Sequence, residues 1–160
     1  DGVPTGVVVN PKNTPVYLGL FNAPWIKIRR AALLRDHPDV RFKEERGLYF
    51  GDISFWTKEL FYADTFVLSD TALVNYRVTH TNSTNKINKY DVYFKEFHEV
   101  RRFLAEHNAH GSGYAKMNAE KTRQTLEWVY NELEFDKDTL RELRADIDRY
   151  LSEEKALGNY

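Results

Sequence analysis

The side chains best suited to chemistry lie in short segments between residues 22 and 83. Asp52 stands directly before an amphipathic run. A carboxylate at the start of a helix is held ionised by the helix dipole, so it can accept a proton. Farther along, Arg77, His80 and Ser83 follow a β-rich run and its loop. A guanidinium, an imidazole and a hydroxyl placed in this way can converge on one anion, such as a diphosphate.

Each of these residues also has a purely structural interpretation. Asp52 stands where an N-cap is expected, and a cap alone contributes about 1 kcal/mol to stability. His80 could be a surface loop histidine, because the sequence offers no second ligand nearby for a metal site. The remaining histidines are interpreted as structural or solvent-facing, namely His37, His98, His107 and His110.

An aromatic and basic segment precedes Asp52. Residues 22–30 read Asn-Ala-Pro-Trp-Ile-Lys-Ile-Arg-Arg, which includes Trp25 and Lys27. In the structural interpretation, Trp25 is a core residue. The basic residues Lys27, Arg29 and Arg30 then form the exposed face of an edge strand, where their charges discourage unwanted pairing.

The elements around these residues predict a small mixed sheet with a helix packed on it. Residues 7–9 are a strand candidate that Pro11 stops. Residues 25–30 alternate as a strand does, although residues 29–34 could continue as a helix that ends at Pro38. Two β-rich runs, residues 65–68 and residues 72–79, suggest a hairpin or neighbouring strands.

One amphipathic helix is predicted between these strands. Its apolar face combines residues at helical spacing, which are Ile53, Trp56, Leu60 and Ala63. Asp52 occupies the predicted cap position of this helix.

From about residue 86 the hydrophobic period lengthens from two to near 3.6, which predicts helices. The first spans residues 87–104, with Glu96 and Glu99 outside its apolar stripe, and the glycines at 111 and 113 end it. A second runs from about 118 to 133, and a third starts near Asp136 or Asp138. We therefore expect an α+β fold: residues 1–85 form the mixed part, and residues 86–160 form a C-terminal helical appendage packed on it.

The composition argues against several classes of protein. Lys and Arg together number 23 and Asp and Glu number 24, so no overall field favours nucleic acid or an anionic membrane. We expect no nucleic-acid partner, although Arg29, Arg30 and Arg77 with interleaved aromatics are its best case. The chain has no cysteine, which fits a reducing compartment. No apolar run approaches the roughly 18 residues of a membrane-spanning helix, so we expect no transmembrane segment.

Taken in order, the segments around Trp25, Asp52 and residues 75–83 resemble the acceptor-side half of family 2 glycosyltransferases. These are bacterial GT-A enzymes of polysaccharide and cell-envelope biosynthesis. The resemblance implies transfer of a sugar, with inversion, from a nucleotide sugar to a glycan or lipid-linked acceptor. It covers residue 22 to the first long helix, about half of the chain, and its motifs are individually short.

The resemblance implies a role for each candidate residue. Asp52 would be the general base that takes the acceptor hydroxyl proton. In this family the place holds Glu-Asp, whereas here Gly51 precedes the aspartate. Trp25 would stack on a sugar ring, and Lys27 would meet a phosphate or an acceptor oxygen. Contacts to the donor diphosphate or its metal are implied for Arg77, His80 and Ser83.

The half of such an enzyme that binds the sugar nucleotide carries an Asp-x-Asp-like metal motif in a strand-to-helix context, and no such motif occurs in that context in this chain. A divalent metal, Mg²⁺ or Mn²⁺, is expected for the full-length parent. The chain begins at Asp1 rather than at methionine, and we interpret it as a C-terminal part of a longer cytoplasmic protein, which could sit at the inner face of the membrane. Alone, it is expected to be inactive and to self-associate through the apolar face that the other half would cover.

A different class remains open. A non-catalytic interaction module would use the aromatic first helix and the C-terminal helices as a partner surface. In that case Asp52 and Arg77 would serve only folding.

Overall fold

A computed structural model describes residues 5–13, 27–44, 50–72, 74–75 and 89–160. The elements of this part of the chain are β1 (Val8–Val9), α1 (Ala31–Asp36), α2 (Asp52–Tyr62), β2 (Phe66–Val67), α3 (Asp91–Glu106), α4 (Gly113–Glu132) and α5 (Lys137–Ala156). The predicted α+β class is confirmed, since helices accompany a two-stranded antiparallel sheet. The described helices include none that is both long enough and apolar enough to cross a membrane.

The chain divides into two compact units, Asp1–Lys86 and Ile87–Tyr160. The first unit holds the sheet and the helices α1 and α2. The second unit holds the helices α3, α4 and α5.

The sheet of the first unit joins segments that are far apart in sequence. Val8 pairs with Val67 and Val9 with Phe66 in an antiparallel register. The predicted strand near residues 65–68 therefore exists, and its partner among the described residues is β1. Residues 72, 74 and 75 are not in a strand, and residues 73 and 76–79 lie outside the described residues. The amide of Thr71 donates to Ser69 Oγ at 3.1 Å, a local turn that competes with strand pairing.

The segment before α1 differs from the predicted strand. Residues 27–30 have no regular structure, so the strand prediction for residues 25–30 is wrong over this part, and residues 25 and 26 lie outside the described residues. The alternative of a helix is closer, because α1 begins at Ala31. It ends at Asp36, two residues before Pro38, as expected because proline disfavours helical geometry in the residue before it.

Helix α2 is buried along most of its length. All residues from 54 to 60 are buried, including the charged Lys58 and Glu59. The predicted face of Trp56 and Leu60 belongs to this core, but burial extends around the helix beyond that face. A helix buried on every side is fixed by packing rather than by its own propensity.

Helix α3 supplies the main apolar stripe of the second unit. Its fully buried apolar side chains are Val92, Tyr93, Phe97, Val100, Phe103 and Leu104. The prediction that Glu96 and Glu99 lie outside the stripe is wrong, because both are buried. Glu99 Oε1 accepts a hydrogen bond from Arg102 one turn later at 2.7 Å, and this guanidinium partly offsets the cost of burying the carboxylate.

The ends of α3 and α5 are closed by the same backbone motif. After α5, the amide of Gly158 donates to the Lys155 carbonyl and that of Asn159 to the Glu154 carbonyl, each at 3.0 Å. Gly158 has a φ of 74°, the left-handed angle that this motif requires. After α3, Asn108 takes that position with a φ of 51°. Glycine and asparagine are the residues that best tolerate this angle.

Helices α4 and α5 begin at side-chain caps. Ser112 Oγ accepts from the amide of Ala115 at 3.1 Å, so α4 starts at Gly113, earlier than the predicted residue 118. The non-helical segment between α3 and α4 is shorter than Gly111 and Gly113 suggested. The Ser112 cap offsets the cost of having a glycine in the first turn of α4. Asp136 caps α5 by accepting from the amides of Asp138 and Thr139, each at 2.9 Å. Of the two predicted caps, Asp136 is therefore the correct one.

A buried polar network ties the end of α5 to α3 and to the loop after it. Glu154 is 3% exposed and accepts from Arg101 Nε at 2.5 Å and from Asn159 Nδ2 at 2.7 Å. Asn159 also accepts from the amide of Gly111 at 2.9 Å. Because each oxygen of Glu154 meets a donor, its charge is compensated in the core.

Candidate active site

Asp52 is the first residue of α2, and the cap position belongs to Gly51. The prediction that Asp52 is the N-cap is therefore wrong by one residue, and the cap makes no side-chain hydrogen bond. The carboxylate still lies in the first turn, where the helix dipole favours negative charge by about 0.3–1 kcal/mol. Asp52 is half-buried, whereas the following turns are buried, so it lies at the accessible end of a fixed helix.

The backbone immediately before Asp52 is strained. Phe50 has a φ of 64°, a left-handed angle that costs a bulky residue roughly 1–2 kcal/mol. The amide of Ile53 donates to the Phe50 carbonyl at 2.9 Å and holds this turn at the helix start. Strain of this kind persists only where surrounding contacts enforce it, and it is common beside functional groups.

The segment that carries Lys27 packs against α2. Lys27 Nζ lies 3.5 Å from the centroid of the Trp56 ring, and this nitrogen is buried. Trp56 follows Asp52 by four residues, so the two side chains share one face of the helix. The cation–π contact therefore joins the Lys27 segment to the helix that begins with Asp52.

Arg29 makes a second cation–π contact with α2, on Phe55, the residue before Trp56. Its guanidinium lies 5.0 Å from the centroid of the Phe55 ring and forms an ion pair with Glu59. Arg29 Nη2 donates to Glu59 Oε2 at 3.3 Å. Both side chains are largely buried, at 16% and 6% exposure, so this is an interior ion pair.

The burial of Lys27 and Arg29 is the reverse of what the edge-strand interpretation expects. Lys27 and Arg29 turn towards α2, while Ile28 between them is 90% exposed. Basic residues normally stay at the surface, and aromatic faces together with a buried carboxylate are what allow them inside. The role of Trp56 was missed because its spacing marked it only as a core residue.

Trp56 has a further property that the helical pattern did not reveal. Its indole Nε1 is buried and has no hydrogen-bond partner among the described residues. Buried donors are nearly always paired, so an unpaired one near a candidate site is notable. The ring itself is well packed, with 6% of the residue exposed.

The structure does not describe the other candidate residues. Trp25, Arg77, His80 and Ser83 lie outside the described residues. Among the residues that the structure does describe, no three histidine, aspartate or glutamate side chains are grouped so as to hold a metal ion. The described part of the chain therefore offers no such ligand set for the divalent metal that the resemblance implies for the longer enzyme.

The geometry supports limited chemistry by these residues. Asp52 offers a carboxylate at a helix start, and the Lys27 ammonium packs on Trp56 of the same helix. A carboxylate so placed can accept a proton from a hydroxyl group. The chain matches no family model, and comparisons with curated proteins and with solved structures return no match.

Proposed function

We propose that this chain forms the acceptor-side part of a family 2 glycosyltransferase of the bacterial polysaccharide or cell-envelope type. The observation that supports this most is the packing of the Lys27 segment on the helix that begins with Asp52. Two segments that resemble the family in sequence therefore also meet in space. They lie more than twenty residues apart in the chain.

In the proposed reaction, Asp52 removes the proton from an acceptor hydroxyl group. The oxygen then attacks the anomeric carbon of the donor sugar, and the nucleoside diphosphate leaves from the opposite face, which inverts the configuration. Arg77, His80 and Ser83 are proposed to contact the diphosphate as it departs. Trp25 is proposed to stack on a sugar ring, and Lys27 to meet a phosphate or an acceptor oxygen.

Lys27 also bears on how the proposed base works. Its ammonium is buried against Trp56, where the charge is less screened than in water. We propose that this cation, held on the helix that begins with Asp52, favours the ionised carboxylate, which is the form that accepts a proton. To meet a phosphate or an acceptor oxygen as proposed above, the Lys27 ammonium has to leave this contact with Trp56.

Exposed apolar side chains of the first unit support the second part of the proposal, that a donor-binding half covers this unit. They include Val7, Val8, Ile28, Phe42, Val67 and Val74. Both members of the Val8–Val67 cross-strand pair are more than half exposed, at 66% and 53%. Apolar surface of this kind favours association with another unit or with a second copy. The intact enzyme is proposed to act in the cytoplasm or at the inner face of the membrane.

The test uses the 160-residue chain and the frame that encodes it. We expect calorimetry to detect no micromolar binding of a uridine or other nucleotide sugar to this chain, and sedimentation to show concentration-dependent self-association. The frame upstream of Asp1 should encode an α/β half with an Asp-x-Asp motif, and the joined protein should transfer sugar. Tight nucleotide-sugar binding by this chain alone would contradict the proposal that the other half binds the nucleotide sugar.

A further inference from the structure

A groove of about 150 Å³ lies on the second unit, between the start of α3 and the end of α5. Its lining comprises Tyr90, Asp91, Phe94, His98, Asp146, Arg149, Tyr150 and Glu153. Pockets for drug-sized ligands are usually about 300–1,000 Å³, so this groove is too small for a nucleotide sugar. It has room for one long side chain.

The walls of the groove are aromatic. The rings of Tyr90 and Phe94 meet edge to face with centroids 6.0 Å apart, and Phe94 meets Tyr150 at 5.9 Å. His98 completes this wall, with its ring 5.5 Å from that of Tyr150. Burial, and then the nearby Arg101, lower the pKa of His98, which disfavours a positive charge on this wall.

The rim of the groove is acidic. Three carboxylates, from Asp91, Asp146 and Glu153, face one guanidinium, from Arg149. Glu153 is paired with Arg101, and Asp146 with Arg149. Asp91 has no ion-pair partner among the described residues, so the groove retains unbalanced negative charge.

A neighbouring contact in the same unit shows which group binds to aromatic rings flanked by carboxylates. The guanidinium of Arg101 lies 4.0 Å from the centroid of the Tyr150 ring while it pairs with Glu153 and Glu154. At the rim, Arg149 pairs with Asp146 but is 69% exposed, so it is held weakly. Guanidinium groups stack on aromatic rings and bind carboxylates with two parallel hydrogen bonds, which an ammonium cannot do.

We propose that this groove is a docking site for a single arginine side chain presented by a partner protein. The guanidinium lies against Tyr90 and Phe94 and pairs with Asp91. It also displaces Arg149 from Asp146. This surface is independent of the proposed sugar transfer, because all of its residues belong to the second unit. A loss of binding here would therefore leave the glycosyltransferase proposal untouched.

The probe is a short capped peptide, acetyl-Gly-Arg-Gly-amide, titrated into the 160-residue chain and followed by NMR. Saturable shifts should centre on Tyr90, Phe94 and His98, with millimolar affinity that weakens as salt is added. The same peptide with citrulline, which lacks the charge, should not bind. A lysine peptide should bind more weakly, because its ammonium cannot match the planar guanidinium.

Variants separate docking from general electrostatics. Asp91→Asn should weaken binding severalfold, whereas Asp138→Asn, which removes another exposed first-turn aspartate, from α5, should not. Arg149→Gln removes the internal competitor and should strengthen binding by about two- to fivefold. Shifts spread over all acidic residues, equal binding of citrulline, or no gain in Arg149→Gln would overturn the proposal.

Discussion

The ammonium of Lys27 lies 3.5 Å from the ring centroid of Trp56, one helical turn after Asp52. This contact joins an irregular segment to the core helix α2 and buries a cation against the helix that begins with the candidate base. Without an aromatic face, burial of the ammonium would be strongly unfavourable. The site therefore depends on Trp56, a residue that the resemblance did not include.

The energy of this contact can be measured with a double-mutant cycle. Lys27→Met keeps the apolar stem and removes the charge, while Trp56→Leu removes the ring and costs several kcal/mol through the cavity it leaves. We expect a coupling of about 1–2 kcal/mol between them, read from hydrogen exchange of the α2 amides. The exposed Arg30→Met, combined with the same Trp56→Leu, should show no coupling.

Two glycines should respond to alanine with opposite signs. Gly158 has a φ of 74° with its nearest neighbouring atom 3.9 Å from an added Cβ, so Gly158→Ala should cost about 1 kcal/mol through backbone strain alone. Gly113 has open space around an added Cβ and lies in the first turn of α4. Gly113→Ala should stabilise by about 0.4–1 kcal/mol. Urea unfolding followed by circular dichroism measures the change in stability of each variant. Changes in the same direction would contradict the left-handed backbone angle of Gly158 after α5.

The buried Glu154 should matter far more than its neighbour Glu153, although both bind Arg101. Glu154→Gln leaves Arg101 without its interior carboxylate and should cost about 3 kcal/mol. Glu153 is 46% exposed, so Glu153→Gln should cost less than about 1 kcal/mol. Thermal unfolding compares the two variants. Similar losses would mean that burial does not decide the strength of the pair.

Glu120 provides a test of pH dependence. Hydrogen bonds from Arg123, and then from Gln124, lower the pKa of this carboxyl group to about 2. The folded chain thus binds this proton less readily than the unfolded chain. The stability contributed by Glu120 is present above the ordinary pKa near 4.5 and is lost as the pH falls towards 2. Carboxyl-carbon NMR should show a midpoint near 2, and Arg123→Gln should move it back upwards.

Helices with a clear apolar period were predictable, and so was the fold class. The cap of α5 was predicted only as one of two aspartates, Asp136 or Asp138, because either side chain can accept from backbone amides, and the structure shows Asp136. Strand pairing was not, since β1 and β2 are each two residues long and meet across most of the first unit. Short strands carry too little pattern to identify their partners.

The candidate site was predictable only in part. The position of Asp52 at a helix start followed from the helical period, but its offset from the cap did not, because Gly51 is itself an acceptable cap. Burial of Lys27 and Arg29 could not be foreseen, since basic residues are mostly exposed. Their burial is accompanied by tertiary contacts with Trp56, Phe55 and Glu59, which the sequence pattern does not reveal.

The most direct test of the central claim is Asp52→Asn in the enzyme that joins this chain to a donor-binding half. Asparagine keeps the size of the side chain but cannot take the proton, so sugar transfer should fall by about a hundredfold or more. The melting temperature should barely change, because a first-turn charge contributes only about 0.3–1 kcal/mol. Asp138→Asn, which removes a first-turn charge from α5, should leave transfer intact. Near-normal turnover in Asp52→Asn would contradict the role of Asp52 as the base and, with it, the account of this site.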